Sequence, residues 1–275
     1  MRSSTFTPPD VTGHWGQFRS IRPRTIKRVN DSSVVEAADN VFFVQGSLVN
    51  WVLLRDGSNL TLIDGGYPGD IDDVEASIRA IGLRPEDVQA VLLTHAHADH
   101  VGAVQPFHSR YGIPTYADPA EVGHAHRDYL DQLTPAKLIS NLWRPRVLPW
   151  AVAIIRNRAL QDVAAPHVQA FPTDGALDLP GKPVPVPTHG HTAGHSAYYV
   201  PQAGAVITGD ALVTGHKVVR AVGPQLIPPL FQHGDPTDLL AALKPLVDLD
   251  ADVVLPGHGG LHRGPIREAV AAVHA

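Results

Sequence analysis

The stretch His95-Ala96-His97-Ala98-Asp99-His100 places three imidazoles and a carboxylate within six residues, directly after the apolar run Val88 to Leu93. Core packing does not account for such crowding, because each buried polar group needs a partner or costs on the order of a few kcal/mol. On a tight loop at a strand end, His95 and His97 can point the same way. Asp99 and His100 then turn toward a neighbouring point a few ångströms away, which is ligand spacing for two metal ions. One loop cannot complete either ion's shell. Three further polar residues stand in similar places: His191 in Gly190-His191-Thr192-Ala193-Gly194-His195, Asp210 in Thr208-Gly209-Asp210, and His258 in Pro256-Gly257-His258-Gly259. Each follows an apolar run and is flanked by glycine, which lets backbone approach closely.

The composition narrows the chemistry. Among 275 residues there are 16 histidines and no cysteine. A disulfide scaffold, a cysteine nucleophile, a thiolate zinc site and a cysteine-ligated iron–sulfur cluster are excluded, leaving nitrogen and oxygen donors. Twenty-seven acids against 22 Lys and Arg give a net charge of −5. That balance counts against a phosphate-binding protein. The one basic cluster, Arg19, Arg22, Arg24, Lys27 and Arg28, reads as a solvated or partner-packed tail. The first thirty residues lack the apolar core of a secretory signal, and the longest apolar stretch, Leu148 to Ile155, is too short to span a bilayer. The expectation is a soluble, cytoplasmic protein that takes a small-molecule substrate, with no nucleic acid and no membrane partner; a homodimer is left open.

The elements that must position these groups are read from periodicity. Residues 1–30 read as an arm without periodicity, and 31–275 as the domain that carries these groups. Val41 to Val44, Ser47 to Leu54 and Leu60 to Ile63 read as strands, with Asp56-Gly57 as a hairpin signal. Helical spacing runs from Asp70 to Ile81 and from Val101 to Tyr111, and a short strand near Ile113 to Ala117 comes after the second helix. Residues 118–170 read as a helical insertion that could cover a site. Further strands are expected at Val184 to Thr188, Ala197 to Val200, Ala205 to Thr208 and Asp252 to Leu255. Asp235-Pro236-Thr237-Asp238 marks a helix start, and a closing helix runs from about Pro265. This rhythm is that of an α/β protein.

In its motifs and their order the sequence resembles the metallo-β-lactamase-fold superfamily of metallohydrolases, in particular its glyoxalase II and lactonase-like branch, over roughly residues 34–262. The resemblance implies a four-layer αβ/βα sandwich with a helical insertion. It implies that His95, His97 and His191 hold one metal, that Asp99, His100 and His258 hold a second, and that Asp210 bridges them. Two divalent ions are implied, zinc foremost, with iron or manganese as alternatives. Asp210 and the lack of cysteine exclude the lactamase subclass with a cysteine ligand, and a bridging Asp counts against another subclass that has none. The diiron flavoprotein relatives carry Glu where this chain has His97. Glyoxalase II enzymes extend well past their last histidine ligand, whereas 17 residues follow His258, which counts against a glutathione thioester. A common form of the acyl-homoserine lactonases has a Tyr where this chain has Val213.

The implied reaction is attack of a metal-bridging hydroxide on the carbonyl of an ester, lactone, thioester or amide, with Asp99 also orienting the nucleophile and passing a proton to the leaving group. Rival readings are a single-iron persulfide dioxygenase using only His95, His191 and Asp210, a β-lactam hydrolase, and an RNA nuclease. Asp64, at a strand end, is expected to support a ligand. Tyr67, His216 and Lys217 are candidates to face substrate. His195 is expected to support its loop. His124 and His126 read as surface or lid residues, because i and i+2 diverge on a helix. Trp143 and Trp150 are read as packing the insertion, with lining of an apolar pocket as the alternative.

Overall fold

Short β-branched and aromatic runs separated by turn residues close into ladders with nearest neighbours in sequence, and here they do so in strict order. The computed structural model describes residues 24–29, 32–172, 175–232 and 236–273. Its first sheet holds β1 (Arg24–Val29), β2 (Ser32–Ala38), β3 (Val41–Gln45), β4 (Asn50–Asp56), β5 (Asn59–Ile63), β6 (Val88–Leu92), β7 (Thr115–Ala117) and β8 (Gln169–Ala170), lying side by side in that order. The pairs from β1 to β5 are antiparallel and those from β5 to β8 parallel. Helices α1 (Ile71–Ala80) and α2 (Val104–Tyr111) make two of the parallel crossovers. The stretch between β7 and β8 contains three short helices, α3 (Val122–His126), α4 (Pro135–Ile139) and α5 (Val147–Arg156).

The second sheet takes β9 (Val184–Pro187), β10 (Ser196–Val200), β11 (Ala205–Gly209), β14 (Val253–Pro256) and β15 (His262–Arg263) in the order β15-β14-β11-β10-β9. Strands β12 (Val213–Gly215) and β13 (Val222–Gln225) form a separate ribbon, and α6 (Pro236–Ala241) and α7 (Ile266–Val273) complete the chain.

Alternation along the strands builds the layers. Phe42, Val44, Trp51, Leu53 and Leu62 face α1 and α2 in one core. Their neighbours Val41, Phe43, Val52, Leu54 and Ile63 face the other way and pack against Tyr198, Val200, Ile207 and Leu255 of the second sheet. The far side of that sheet, Ala197, Val206 and Val254, packs on Leu243, Ala269 and Val270. Period-two side chains on two stacked sheets, each covered by helices, give the αβ/βα sandwich.

Two expectations need correction. Residues Arg24–Val29 of the supposed arm form β1, paired antiparallel along β2. A ladder needs only backbone N–H and C=O groups, so an edge strand can form where side-chain periodicity is silent. The strand expected from Ser47 begins only at Asn50. Arg19, Arg22, His14 and Asp235 lie outside the described residues.

Candidate metal centre

Parallel strands align their carboxyl ends, and the candidate ligands sit there. Asp64 follows β5, Thr94 to His100 follow β6, Asp210 follows β11 and His258 follows β14. Because β11 and β14 run parallel with Gly209 opposite Pro256, Asp210 and His258 emerge side by side. Glycine is required at that crossing: a Cβ on Gly257 would collide with Asp210 Oδ1 and stand 2.9 Å from His100 Cε1.

Three groups of donors converge, namely His95, His97 and His191; Asp99, His100 and His258; and His95, His100 and Asp210. In the first, His97 Nδ1 lies 3.0 Å from His95 Nε2 and 3.1 Å from His191 Nε2. In the second, His258 Nε2 is 3.3 Å from Asp99 Oδ2 and 3.3 Å from Asp210 Oδ2. Asp210 reaches both groups, with Oδ2 3.6 Å from His191 Nε2 and Oδ1 3.6 Å from His100 Nε2. Asp64, Tyr67, His195 and His216 surround these seven residues in different ways.

The outward ring nitrogens of His95, His97, His100 and His258 are occupied, whereas His191 Nδ1 is buried without a hydrogen-bond partner. His95 Nδ1–H donates to Thr94 Oγ1 (3.0 Å), whose own proton goes to Asp64 Oδ2 (2.8 Å). His97 Nε2–H donates to the Asp131 carbonyl (2.6 Å), His100 Nδ1–H to Asp64 Oδ2 (2.8 Å) and His258 Nδ1–H to the Leu48 carbonyl (2.9 Å). These bonds fix the tautomers so that bare nitrogens point inward, the arrangement that metal-bound histidines use. Asp64 takes a left-handed φ of 60°, which Asp tolerates, and also accepts the Thr94 amide (2.8 Å).

The residues fit divalent cations. Bare imidazole nitrogens repel through their lone pairs at 3.0 Å, the separation of His95 Nε2 and His97 Nδ1. Around one tetrahedral ion, with bonds of about 2.0–2.1 Å, the same nitrogens would stand about 3.3–3.4 Å apart. His100 Nε2 and Asp210 Oδ1 are buried inside the site without a hydrogen-bond partner. Electrostatics divides the two groups. Burial, reinforced by neighbouring imidazoles, drives His95 and His191 well below the ordinary histidine value, so both are neutral donors. Burial also opposes charge on His100, but Asp64, Asp99 and Asp210 overcome it and push the ring up to about 9. His258 is raised well above its usual value against the same burial, chiefly by Asp210. Excess carboxylate on that side attracts positive charge, which a metal ion can supply in place of protons.

Sequence reasoning missed Glu121 and Asp118. Glu121 is fully buried and accepts four bonds: from Ala96 N–H (2.8 Å), His124 Nδ1–H (2.8 Å), Thr192 Oγ1–H (2.8 Å) and Gly194 N–H (3.0 Å). Asp118 accepts from Ser196 Oγ–H (3.1 Å) and pairs with His189 Nε2 at 3.2 Å. Neither belongs to a local motif, so spacing alone offered no signal. His124 is therefore not a surface residue; it is buried beneath the site, while His126 turns away to the Val168 carbonyl (2.8 Å). His195 Nε2 accepts the Asp210 amide (3.1 Å), and its Nδ1–H donates to Thr188 Oγ1 (2.8 Å). Burial lowers His195 to about 4, which keeps that nitrogen an acceptor.

A pocket of about 210 Å³ opens onto His97, Asp99, His191, Asp210 and His258. Its walls are largely apolar, with Leu133, Leu138, Trp150, Ile154, Ile227 and Phe231, and Tyr67 and His216 also reach it. Trp150 thus packs and lines the pocket at once, whereas Trp143 is 77% exposed and packs no core. His216 packs beside Trp150 and Phe231, and burial holds it down to about 3. Lys217 lines a separate groove behind His216 and His258.

Residues 44–258 match the family model of the metallo-beta-lactamase superfamily. The chain belongs to that superfamily. Among its superfamily relatives is a probable metallo-hydrolase, YflN, of Bacillus subtilis (strain 168), 25% identical over 229 residues that span 80% of each chain. A hydroxyacylglutathione hydrolase of Alkalilimnicola ehrlichii is 32% identical over 60% of this chain, but the match spans only 48% of that enzyme. A crystal structure of TTHA1623 in a di-iron-bound form superposes with a TM-score of 0.51 at 28% identity, covering 80% of this chain and 92% of that one. The protein is a metallohydrolase of the metallo-beta-lactamase superfamily, with His and Asp groups disposed for divalent metals.

Proposed function

We propose that this metallohydrolase uses a two-metal site to hydrolyse the acyl C–O or C–S bond of an ester, lactone or thioester whose acyl group is apolar. The observation that carries the reading is the joint one: two ligand triads tied through Asp210 at the foot of a pocket walled by Leu133, Leu138, Trp150, Ile154 and Phe231. His95, His97 and His191 would hold one ion, Asp99, His100 and His258 the other, and Asp210 both. When bound, the ions supply a water acidic enough to serve as nucleophile at neutral pH and a Lewis acid for the substrate carbonyl.

The chain's own groups do the rest. Asp99 is more open to the pocket than Asp210, so its carboxylate can orient the attacking water and carry its proton to the leaving group. Burial raises the Tyr67 phenol well above its ordinary value, so it faces the pocket as an O–H donor for the substrate carbonyl. The apolar walls hold the acyl chain and exclude bulk water. Zinc suits the nitrogen and oxygen donors, and the di-iron relative makes iron the alternative.

A homologous series of acyl esters and lactones tests this with metal analysis alongside. The expected result is two metal ions per chain and a kcat/KM that rises about fourfold per added methylene until the pocket is full, from about 0.8 kcal/mol per buried CH₂. Flat dependence on chain length would refute the apolar subsite. One iron per chain with oxygen uptake on a persulfide would refute hydrolysis.

A further inference from the structure

Helix α5 is apolar around its whole circumference, although among the described residues only one side of it is covered. Trp150, Ala151 and Ile154 turn inward and pack with Tyr67 and Val49. Leu148, Val152 and Ile155, at helical spacing on the opposite side, are 52%, 40% and 52% exposed. The flanking segments add exposed Ile139, Trp143 and Leu160. Scattered exposed leucines need no explanation, but a run of this kind on one segment marks an interaction surface.

Charge identifies the partner. Residues 132–161 carry Lys137, Arg144, Arg146, Arg156 and Arg158 and no acid, in a chain whose net charge is −5. Arg144, Arg156 and Arg158 are exposed and make no ion pair among the described residues. An apolar helix face with a tryptophan beside it and arginines around it is the composition that beds into the headgroup layer of an anionic bilayer. A second copy fits less well. A two-fold axis would set this surface against its own image and bring like charges together.

We infer that the α4–α5 segment docks the protein on an anionic lipid surface. The same segment walls the metal pocket, and Leu160, 79% exposed, lines the pocket as well. Docking would therefore place the pocket mouth at the lipid boundary. The surface is peripheral, so it needs no membrane-spanning segment, and no helix among the described residues is long and apolar enough to be one. The inference concerns binding and stands whether or not the substrate reading above holds.

Sedimentation of the full, metal-loaded chain with vesicles tests it. The vesicles are one part phosphatidylglycerol to three parts phosphatidylcholine, or phosphatidylcholine alone. The chain is expected to sediment with the anionic vesicles at low salt, to be released at high salt, and to leave neutral vesicles largely unbound. Partitioning should fall about fivefold for each of Arg144→Gln, Arg156→Gln and Arg158→Gln. The protein's tryptophan emission should shift to the blue on anionic vesicles, and the shift should be smaller in Trp143→Phe. These wild-type readouts stand even if a variant folds poorly. Failure to bind anionic vesicles, or equal and salt-insensitive binding to both kinds, overturns the proposal. So does a lipid-free dimer that Val152→Glu dissociates while the vesicles stay bare, which would assign the surface to a second copy.

Discussion

The Thr192 hydroxyl donates to Glu121 Oε2 over 2.8 Å across a sequence separation of 71 residues. Through Glu121 Oε1, which accepts the Ala96 amide, the same carboxylate holds the loop of His95 and His97. Two loops that must aim three imidazoles at one point are thus tied to one buried anion. Burial opposes ionisation of Glu121, but His124 and the Ala96 and Thr192 bonds outweigh it and keep the carboxyl below its usual value.

Glu121→Ala should therefore cost far more than a surface change. It strands two amides, a hydroxyl and an imidazole N–H in the interior, a loss of about 3–5 kcal/mol by analogy with a broken buried pair. That corresponds to a fall in melting temperature of roughly 6–20 °C. Thermal unfolding with metal bound measures it; a shift within a degree or two would show that the loops hold each other without Glu121.

Asp64 supports His100 and Thr94 together. Asp64→Asn keeps a residue that tolerates the left-handed backbone, so it isolates the loss of charge and of one acceptor. Metal affinity at one of the two sites should weaken about 10–100-fold, read by competition with a chelator. Wild-type affinity at both sites would make Asp64 a turn residue only.

Asp99→Asn retains one oxygen for a metal and removes the base. Turnover should drop at least about 100-fold while metal content stays near the wild-type value. Undiminished kcat with both ions bound would refute the proton-transfer role.

Away from the site, burial alone would raise Glu75, but Arg79 and the Tyr111 hydroxyl, with Arg110, hold its carboxyl below the ordinary value. A depressed folded-state value means this stability is present above the unfolded glutamate range and is lost as pH falls through the folded one. Urea unfolding should find wild type more stable than Glu75→Gln at pH 7, with the gap closing in acid. A gap independent of pH would exclude linkage through Glu75.

The candidate metal donors were legible because their chemistry is local. His95 to His100 crowd polar groups at a strand end, and His191, Asp210 and His258 repeat that placement after apolar runs. The strands around them were legible from alternation and the Asp56-Gly57 turn. The edge strand β1 was not, since pairing through backbone leaves no mark on side-chain order. Glu121 and Asp118 were equally silent, because each is defined by partners that only folding brings near. His124 was misread for the same reason: helical spacing shows where a ring leaves the helix but not what covers it.

Residue type and spacing alone gave the candidate donors, the absence of thiolate chemistry and the α/β rhythm, because those depend on short-range order along the chain. Only the tertiary structure decided which nitrogens face inward, how closely Asp210 approaches each triad, that Trp150 walls a pocket while Trp143 stays in solvent, and that α5 leaves an apolar, arginine-rimmed face uncovered among the described residues. The physical reason is that tautomer, burial and pocket shape are set by contacts between segments up to about two hundred residues apart, such as His258 with Leu48. No window of sequence contains both partners of such a contact.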